Sequence, residues 1–128
     1  MRERKYASVK WPWIGHDLDD DQPATPRLRG SPKLEDLQHA IENFQGVPQK
    51  LKLPSAPAQP VVYMRQQDRP QPRRDAAREN GMAVFVGRVR ECPVLDAKFV
   101  ACGHNTIRGA AGAAVLNAEL MASEGLLD

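Results

Sequence analysis

The tightest constraint on how this chain can fold lies in the run Phe99-Val-Ala-Cys-Gly-His-Asn-Thr-Ile-Arg-Gly-Ala-Ala-Gly-Ala-Ala-Val115. An apolar stretch stops at Gly103, three polar residues follow, and a helix begins that carries almost no bulk. His104, Asn105 and Thr106 therefore belong at a strand-to-helix junction, where unpaired backbone N–H groups and the positive end of the helix dipole collect. Glycine costs roughly 1 kcal/mol against alanine inside a helix. Two of them in one helix, Gly109 and Gly112, predict a surface that something flat approaches closely, or a packing constraint of the core.

The rest of the chain reads as a few short elements. Ser31-Pro32 predicts an N-cap followed by proline at the first helical position. Leu34, Leu37, Ile41 and Phe44 then recur at helical spacing until Gly46 supplies a stop. Six of the eleven prolines fall between Pro48 and Pro72, so residues 47–60 cannot form a central strand. Val61–Met64 is a short strand. Residues 65–80 are polar and arginine-rich, and predict a long loop. Met82–Val89 alternates as a strand, with Val84 and Val86 on one face and Phe85 and Val89 on the other. Pro93 marks a turn before a second strand at 97–101. The final helix, from about Thr106 to Ser123, sets Ile107, Ala110, Ala111, Ala114, Val115, Ala118 and Met121 on one stripe, and Gly125 ends it. Residues 1–30 predict a poorly ordered leader, with Asp17, Asp19, Asp20 and Asp21 beside Pro23 and Pro26.

Composition sets the outer limits. A chain of 128 residues suffices for one domain, though three Phe, two Trp and two Tyr offer little aromatic mass. A net charge of +2 argues for neither nucleic acid nor membrane. The arginines at 65, 69, 73, 74, 78, 88 and 90 lack the interleaved aromatics that stack bases; they read as a solvated loop or as clamps at an oligomer interface. Two cysteines without metal-type spacing fit a reduced, cytoplasmic protein, and no metal site is expected. The start has no signal-peptide core, and no run reaches transmembrane length. No strand–Gly-x-Gly-x-x-Gly–helix unit occurs, and Gly103–Gly109 lacks the Lys-Ser/Thr of a phosphate loop.

The stretch His104-Asn-Thr-Ile-Arg-Gly-Ala-Ala-Gly-Ala-Ala-Val-Leu-Asn-Ala-Glu-Leu120 resembles the C-terminal helix of aspartate-semialdehyde dehydrogenases of the archaeal and fungal-like branch. The likeness continues upstream through Leu51-Lys-Leu-Pro-Ser-Ala-Pro57, Asp68-Arg-Pro-Gln-Pro-Arg73, Gly81-Met-Ala-Val84 and Val86-Gly-Arg-Val-Arg90. It reaches back to the helix near Ser31, about three quarters of the chain. The resemblance implies a two-domain enzyme that interconverts aspartyl phosphate and aspartate semialdehyde plus phosphate with NADP, acting as a homodimer or homotetramer. Residues 31–128 would be its dimerisation-like C-terminal domain, with the last helix docking on a dinucleotide-binding domain that this sequence lacks. A malonyl-CoA reductase shares the pattern, and a non-catalytic oligomerisation module is the reading from another class.

The resemblance also implies site residues. Asn105, after the last strand, would lie near the nicotinamide end of NADP; a carboxamide donates and accepts at once, matching the nicotinamide amide. The alternative is a plain N-cap, a role Thr106 shares. Gly109 would let the helix approach the dinucleotide, with core packing the equal alternative for it and for Gly112. Arg108 would face phosphate or solvent. Lys10-Trp-Pro-Trp-Ile-Gly-His16 resembles a shortened form of the family's Arg-Val-Pro-Val-x-Asp-Gly-His-Thr stretch. It makes His16 the implied catalytic acid/base and Lys10 the partner of the substrate carboxylate, against an exposed His in a leader. The family's Asn-Cys-Thr/Ser nucleophile matches neither Cys92 nor Cys102; a Cys102–His104 dyad is weighed against a small buried Cys102. The fold class that results is α+β: a small mixed or antiparallel sheet with helices on one face.

Overall fold

The computed structural model describes residues 33–93 and 96–127. Three strands, β1 (Val61–Met64), β2 (Val84–Glu91) and β3 (Ala97–Cys102), form one sheet in the order β1-β2-β3. β1 runs parallel to β2 in the register Val61↔Val84 to Met64↔Gly87, and β3 runs antiparallel to β2 with Phe85↔Cys102 and Gly87↔Val100. The sheet is thus mixed, and the α+β class holds.

α1 (Leu34–Glu42) lies against β1 and β2, with Ile41 buried. It begins two residues later than Ser31-Pro32 predicts. Its N-cap is Lys33, whose N–H donates to the Asp36 carboxylate at 3.1 Å. An acidic group at the third helical position thus satisfies the start without a Ser side chain. Ser31 and Pro32 lie outside the described residues. The proline-rich connection contains a single turn, α2 (Val47–Lys50), and is tied to its surroundings by glutamines. Gln49 Nε2 donates to the Pro57 carbonyl at 3.0 Å, and Gln59 Nε2 donates to the Glu42 and Val61 carbonyls. Segments short of backbone donors are fixed by side-chain amides instead.

The crossover from β1 to β2 is not a bare loop. It contains α3 (Pro72–Asp75) and a 3₁₀ turn at Glu79–Gly81, and it crosses closely over the sheet. A Cβ on Gly87 would collide with the Arg69 carbonyl oxygen and lie 3.0 Å from Pro70 Cδ, so glycine alone fits. Immediately after it β2 bulges: the register slips between Gly87 and Arg90, and Arg88 takes φ +54°.

Two apolar clusters result. Met64, Ala83, Phe85 and Cys102 pack on one sheet face with Val62 and Ala76. Leu53, Met82 and Leu116 form the other, joined by Ala56, Ile107 and Leu120. The second joins the terminal helix to the proline-rich connection through Met82. That helix opens with a π-turn (Ile107–Ala111) and continues as α4 (Gly112–Ser123). It ends at Gly125, φ +67°, where Leu126 N–H donates to Met121 O and Gly125 N–H to Ala122 O, the paired bonds of a Schellman stop. Among the described residues no helix is long and apolar enough to cross a membrane.

Candidate functional site

The junction between β3 and the terminal helix holds the residues singled out in the sequence. Asn105 and Thr106 are exposed, and His104 is half-buried. The cap differs from the expected one. Neither Asn105 nor Thr106 caps the helix with its side chain; His104 does. The Ile107 N–H donates to His104 Nδ1 at 3.3 Å, and the Thr106 hydroxyl lies 3.1 Å from the same nitrogen. The Gly109 N–H donates to the His104 carbonyl and the Ala111 N–H to the Thr106 carbonyl, both at 3.0 Å. These i→i−5 bonds make the first turn a π-turn and take up amides expected to face outward. The Asn105 carboxamide, by contrast, has no hydrogen bond among the described residues.

The two helix glycines answer to different demands. A Cβ on Gly112 would collide with Met82 Sδ and stand 2.9 Å from Ile107 Cγ2, so packing inside this domain requires it. A Cβ on Gly109 would meet only the His104 carbonyl oxygen, at 3.8 Å. Nothing within the described residues explains a glycine there. Arg108 makes no ion pair among the described residues. Beside the helix runs an open groove of about 530 Å³ between Ala56-Pro57, Glu79, Met82, Ile107 and Val115. Asn105, Thr106 and Gly109 stand outside its wall.

The apolar stripe expected on the terminal helix is split: Ile107 packs into the Leu53–Met82–Leu116 cluster, and the rest of the stripe is exposed. Leu116 is the buried residue of α4, whereas Ala110, Ala111, Ala114, Val115, Ala118 and Met121 are exposed. Val115 is 52% and Met121 41% exposed. The helix therefore has two apolar sides, one packed through Leu116 and Leu120, one bare. Its packed side is anchored at Ser55, whose N–H and hydroxyl donate to the two Glu119 carboxylate oxygens at 2.9 and 2.6 Å.

Cys102 and His104 do not form a dyad. Cys102 is buried against Phe85, and burial pushes its thiol up, with the Asp75 charge adding to the effect; a protonated thiol is a poor nucleophile. His104 Nδ1 is committed to its own helix. His16 and Lys10 lie outside the described residues.

One residue the sequence reading missed organises the approach to this junction. Asp75, in the arginine-rich stretch, has no exposed surface. It pairs with Arg69 through both carboxylate oxygens, accepts the Gln71 N–H at 2.7 Å, and meets Arg78 Nη1 at 3.4 Å. The Arg69 hydrogen bonds hold its carboxyl well below the usual carboxylate range against the opposing effect of burial, with Gln71 and Arg78 adding to them; the same pairing raises Arg69. Arg78 also lies over the Phe85 ring, 5.1 Å from its centroid. Arg69 is therefore held inside the domain rather than solvated, and Arg78, though exposed, is tied to the same carboxylate. The 3₁₀ turn that follows presses on the junction: a Cβ on Gly81, φ +73°, would stand 2.9 Å from Ile107 Cδ1 and 3.4 Å from His104 Cβ.

A mixed three-stranded sheet that carries a helix with an exposed apolar side defines an α+β domain. The chain belongs to the family described as semialdehyde dehydrogenase, dimerisation domain, whose profile matches residues 12–108. Among its relatives, the aspartate-semialdehyde dehydrogenase of Methanothermobacter thermautotrophicus is 51% identical over 90 residues, covering 69% of this chain and 26% of that protein. The malonyl CoA reductase (NADP) of Metallosphaera sedula is 44% identical over 94 residues, covering 72% and 26%. The crystal structure of aspartate semialdehyde dehydrogenase with NADP from Candida albicans superposes with a TM-score of 0.72 at 42% identity, over 79% of this chain and 29% of that one. The chain thus spans about a quarter of the length of the relatives it matches.

Proposed function

We propose that this chain supplies the last strands and terminal helix of an NADP-dependent aspartate-semialdehyde dehydrogenase, a cytoplasmic homodimer or homotetramer of amino-acid biosynthesis. The observation that carries the reading is the exposed apolar side of the helix from Ile107 to Ser123, beside a carboxamide with no hydrogen bond among the described residues. A second body covering that side, such as the dinucleotide-binding domain of the longer relatives, would bring a bound cofactor to Asn105. NADP, when bound, supplies or accepts the hydride. Asn105 and Thr106 would hold its nicotinamide end, and Gly109, open on its outer side, would allow the close approach. The residues fit such a group: an amide-bearing ligand needs a partner that donates and accepts, and Asn105 offers both without breaking an internal bond. His16 would exchange the proton and Lys10 would meet the substrate carboxylate; as a point charge it holds a carboxylate less rigidly than an arginine fork. Cys102 takes no part as nucleophile.

The test is a chimera. The segment of the Methanothermobacter thermautotrophicus enzyme that aligns with this chain is replaced by the chain's own, and NADP-dependent turnover of aspartate semialdehyde with phosphate is measured. Activity within about tenfold of the parent supports the reading, with Asn105→Ala raising the KM for NADP. A chimera that folds and assembles yet turns over no substrate overturns it, as does one in which Asn105→Ala leaves NADP use unchanged. The 128-residue chain alone is expected to be inactive; turnover by it would contradict the division of labour.

A further inference from the structure

We propose that His104 is a positioning residue, the neutral side-chain cap that holds the turn presenting Asn105. Ile107 N–H has only a proton to offer, so the ring nitrogen 3.3 Å from it is the lone-pair nitrogen. Nδ1 is therefore unprotonated, and Nε2 carries the hydrogen. The Thr106 hydroxyl, 3.1 Å from Nδ1, shares the same acceptor, so one ring nitrogen ties residues 104, 106 and 107 together. Among the described residues, Asn105 carries the one polar side chain within that tie that is left without a hydrogen bond. The backbone closes the turn a second time through Gly109 N–H to the His104 carbonyl, at 3.0 Å.

The residue is backed at its Cβ by the turn bearing Gly81. Gly81 packs so tightly against Ile107 and His104 Cβ that a methyl group there would have no room. The turn bearing Gly81 follows Arg78, which is fixed by Asp75 and the Phe85 ring. His104 therefore has Gly81 beside its Cβ, while its ring nitrogen meets the helix start. A histidine at this place does the work that Ser, Thr, Asn or Asp does at an ordinary helix start. It does so from two residues before the formal N-cap because the π-turn brings Ile107 N–H back over it.

Three readouts on the 128-residue chain, all without cofactor, test this. Nitrogen-15 shifts of the imidazole rings are expected to give Nδ1 bare and Nε2 protonated for the signal that disappears in His104→Asn. In His104→Ala, exchange of the Ile107 amide is expected to quicken about fivefold or more, the ratio matching a hydrogen bond of about 1 kcal/mol. The Asn105 backbone order parameter is expected to drop from the rigid range near 0.85 to below about 0.6. His104→Asn, whose carbonyl oxygen accepts as Nδ1 does, is expected to restore both. A wild-type ring protonated on Nδ1 overturns the inference. So does a folded His104→Ala with unchanged Ile107 exchange and Asn105 order, or a folded His104→Asn that behaves like it. The wild-type ring measurement needs no variant to fold. The meaning of Asn105 rests on the proposed function, but these outcomes do not: Asn105→Ala failing in the chimera would sink that reading and leave the cap standing.

Discussion

The crossover at 65–81 and the terminal helix invert the impressions their sequences give. The crossover is polar, proline-broken and rich in arginine, the composition of a solvated loop, yet it is pinned by a carboxylate with no exposed surface. The helix is apolar along most of its length, the composition of a core element, yet Val115 and Met121 on its outer side are exposed. Composition reports how much apolar surface a segment has, not whether its own domain covers it. Order in the crossover comes from satisfying one buried charge; openness in the helix comes from having more apolar sides than neighbours.

Substitutions at the two places should separate these causes. The largest effect is expected at Asp75. Removing the carboxylate in Asp75→Ala leaves Arg69 and the Gln71 N–H without their partner, and unfolding by denaturant should show a loss of about 3 kcal/mol. A loss under about 0.5 kcal/mol would mean the crossover is held by its prolines instead. The same contrast has a pH dependence. The Asp75 carboxyl is depressed in the folded chain, so its contribution is full above the ordinary aspartate value of 3.8 and is lost as pH falls below it. Acid titration of stability should therefore be steeper for the wild type than for Asp75→Ala.

Next come the glycines. Gly112→Ala pushes a methyl group into Met82 and Ile107 and should cost about 1–3 kcal/mol. Gly109→Ala should gain up to about 1 kcal/mol in this chain by helix propensity, while raising the KM for NADP in the chimera. Equal thermal shifts for the two would erase the distinction between an inward and an outward constraint. The smallest effect on stability is expected at Val115→Lys, within about 0.5 kcal/mol. Light scattering should nonetheless record less self-association, and the chimera carrying it should fail to assemble. A Val115→Lys chimera that assembles normally would show that the bare side is left uncovered by the longer protein as well.

Much of the fold was legible. Alternating apolar residues located β2, a mostly apolar run after the Pro93 turn located β3, the 34/37/41/44 spacing located α1, and Gly125 ended the last helix. Those signals depend on periodicity and on one residue's backbone freedom, both written locally. The start of α1 was misplaced because Ser-Pro is a strong cap pattern, whereas an Asp36 carboxylate reaching back to Lys33 N–H is visible only once the turn has formed. Asp75 was missed because the sequence does not tell a paired aspartate from a solvated one; its nearest signal is the placement of Arg69 and Arg78 on either side within a proline-braced stretch. The junction itself was located, but the cap that residue preference offered there, as the alternative to a cofactor role, was Asn105 or Thr106 rather than His104. A π-turn places Ile107 N–H over an imidazole, and that geometry leaves no local pattern.

The two-sided helix has a consequence for synthesis. Leu116 and Leu120 can be sheltered as soon as Leu53 and Met82 are available, but the strip through Val115 and Met121 stays exposed among the described residues. Left so, the strip is a sticky patch in water, with Leu126 and Leu127 exposed just beyond it. Material lost to clumping during production would then track that strip, so Val115→Lys should raise the yield of the 128-residue chain more than its resistance to heat.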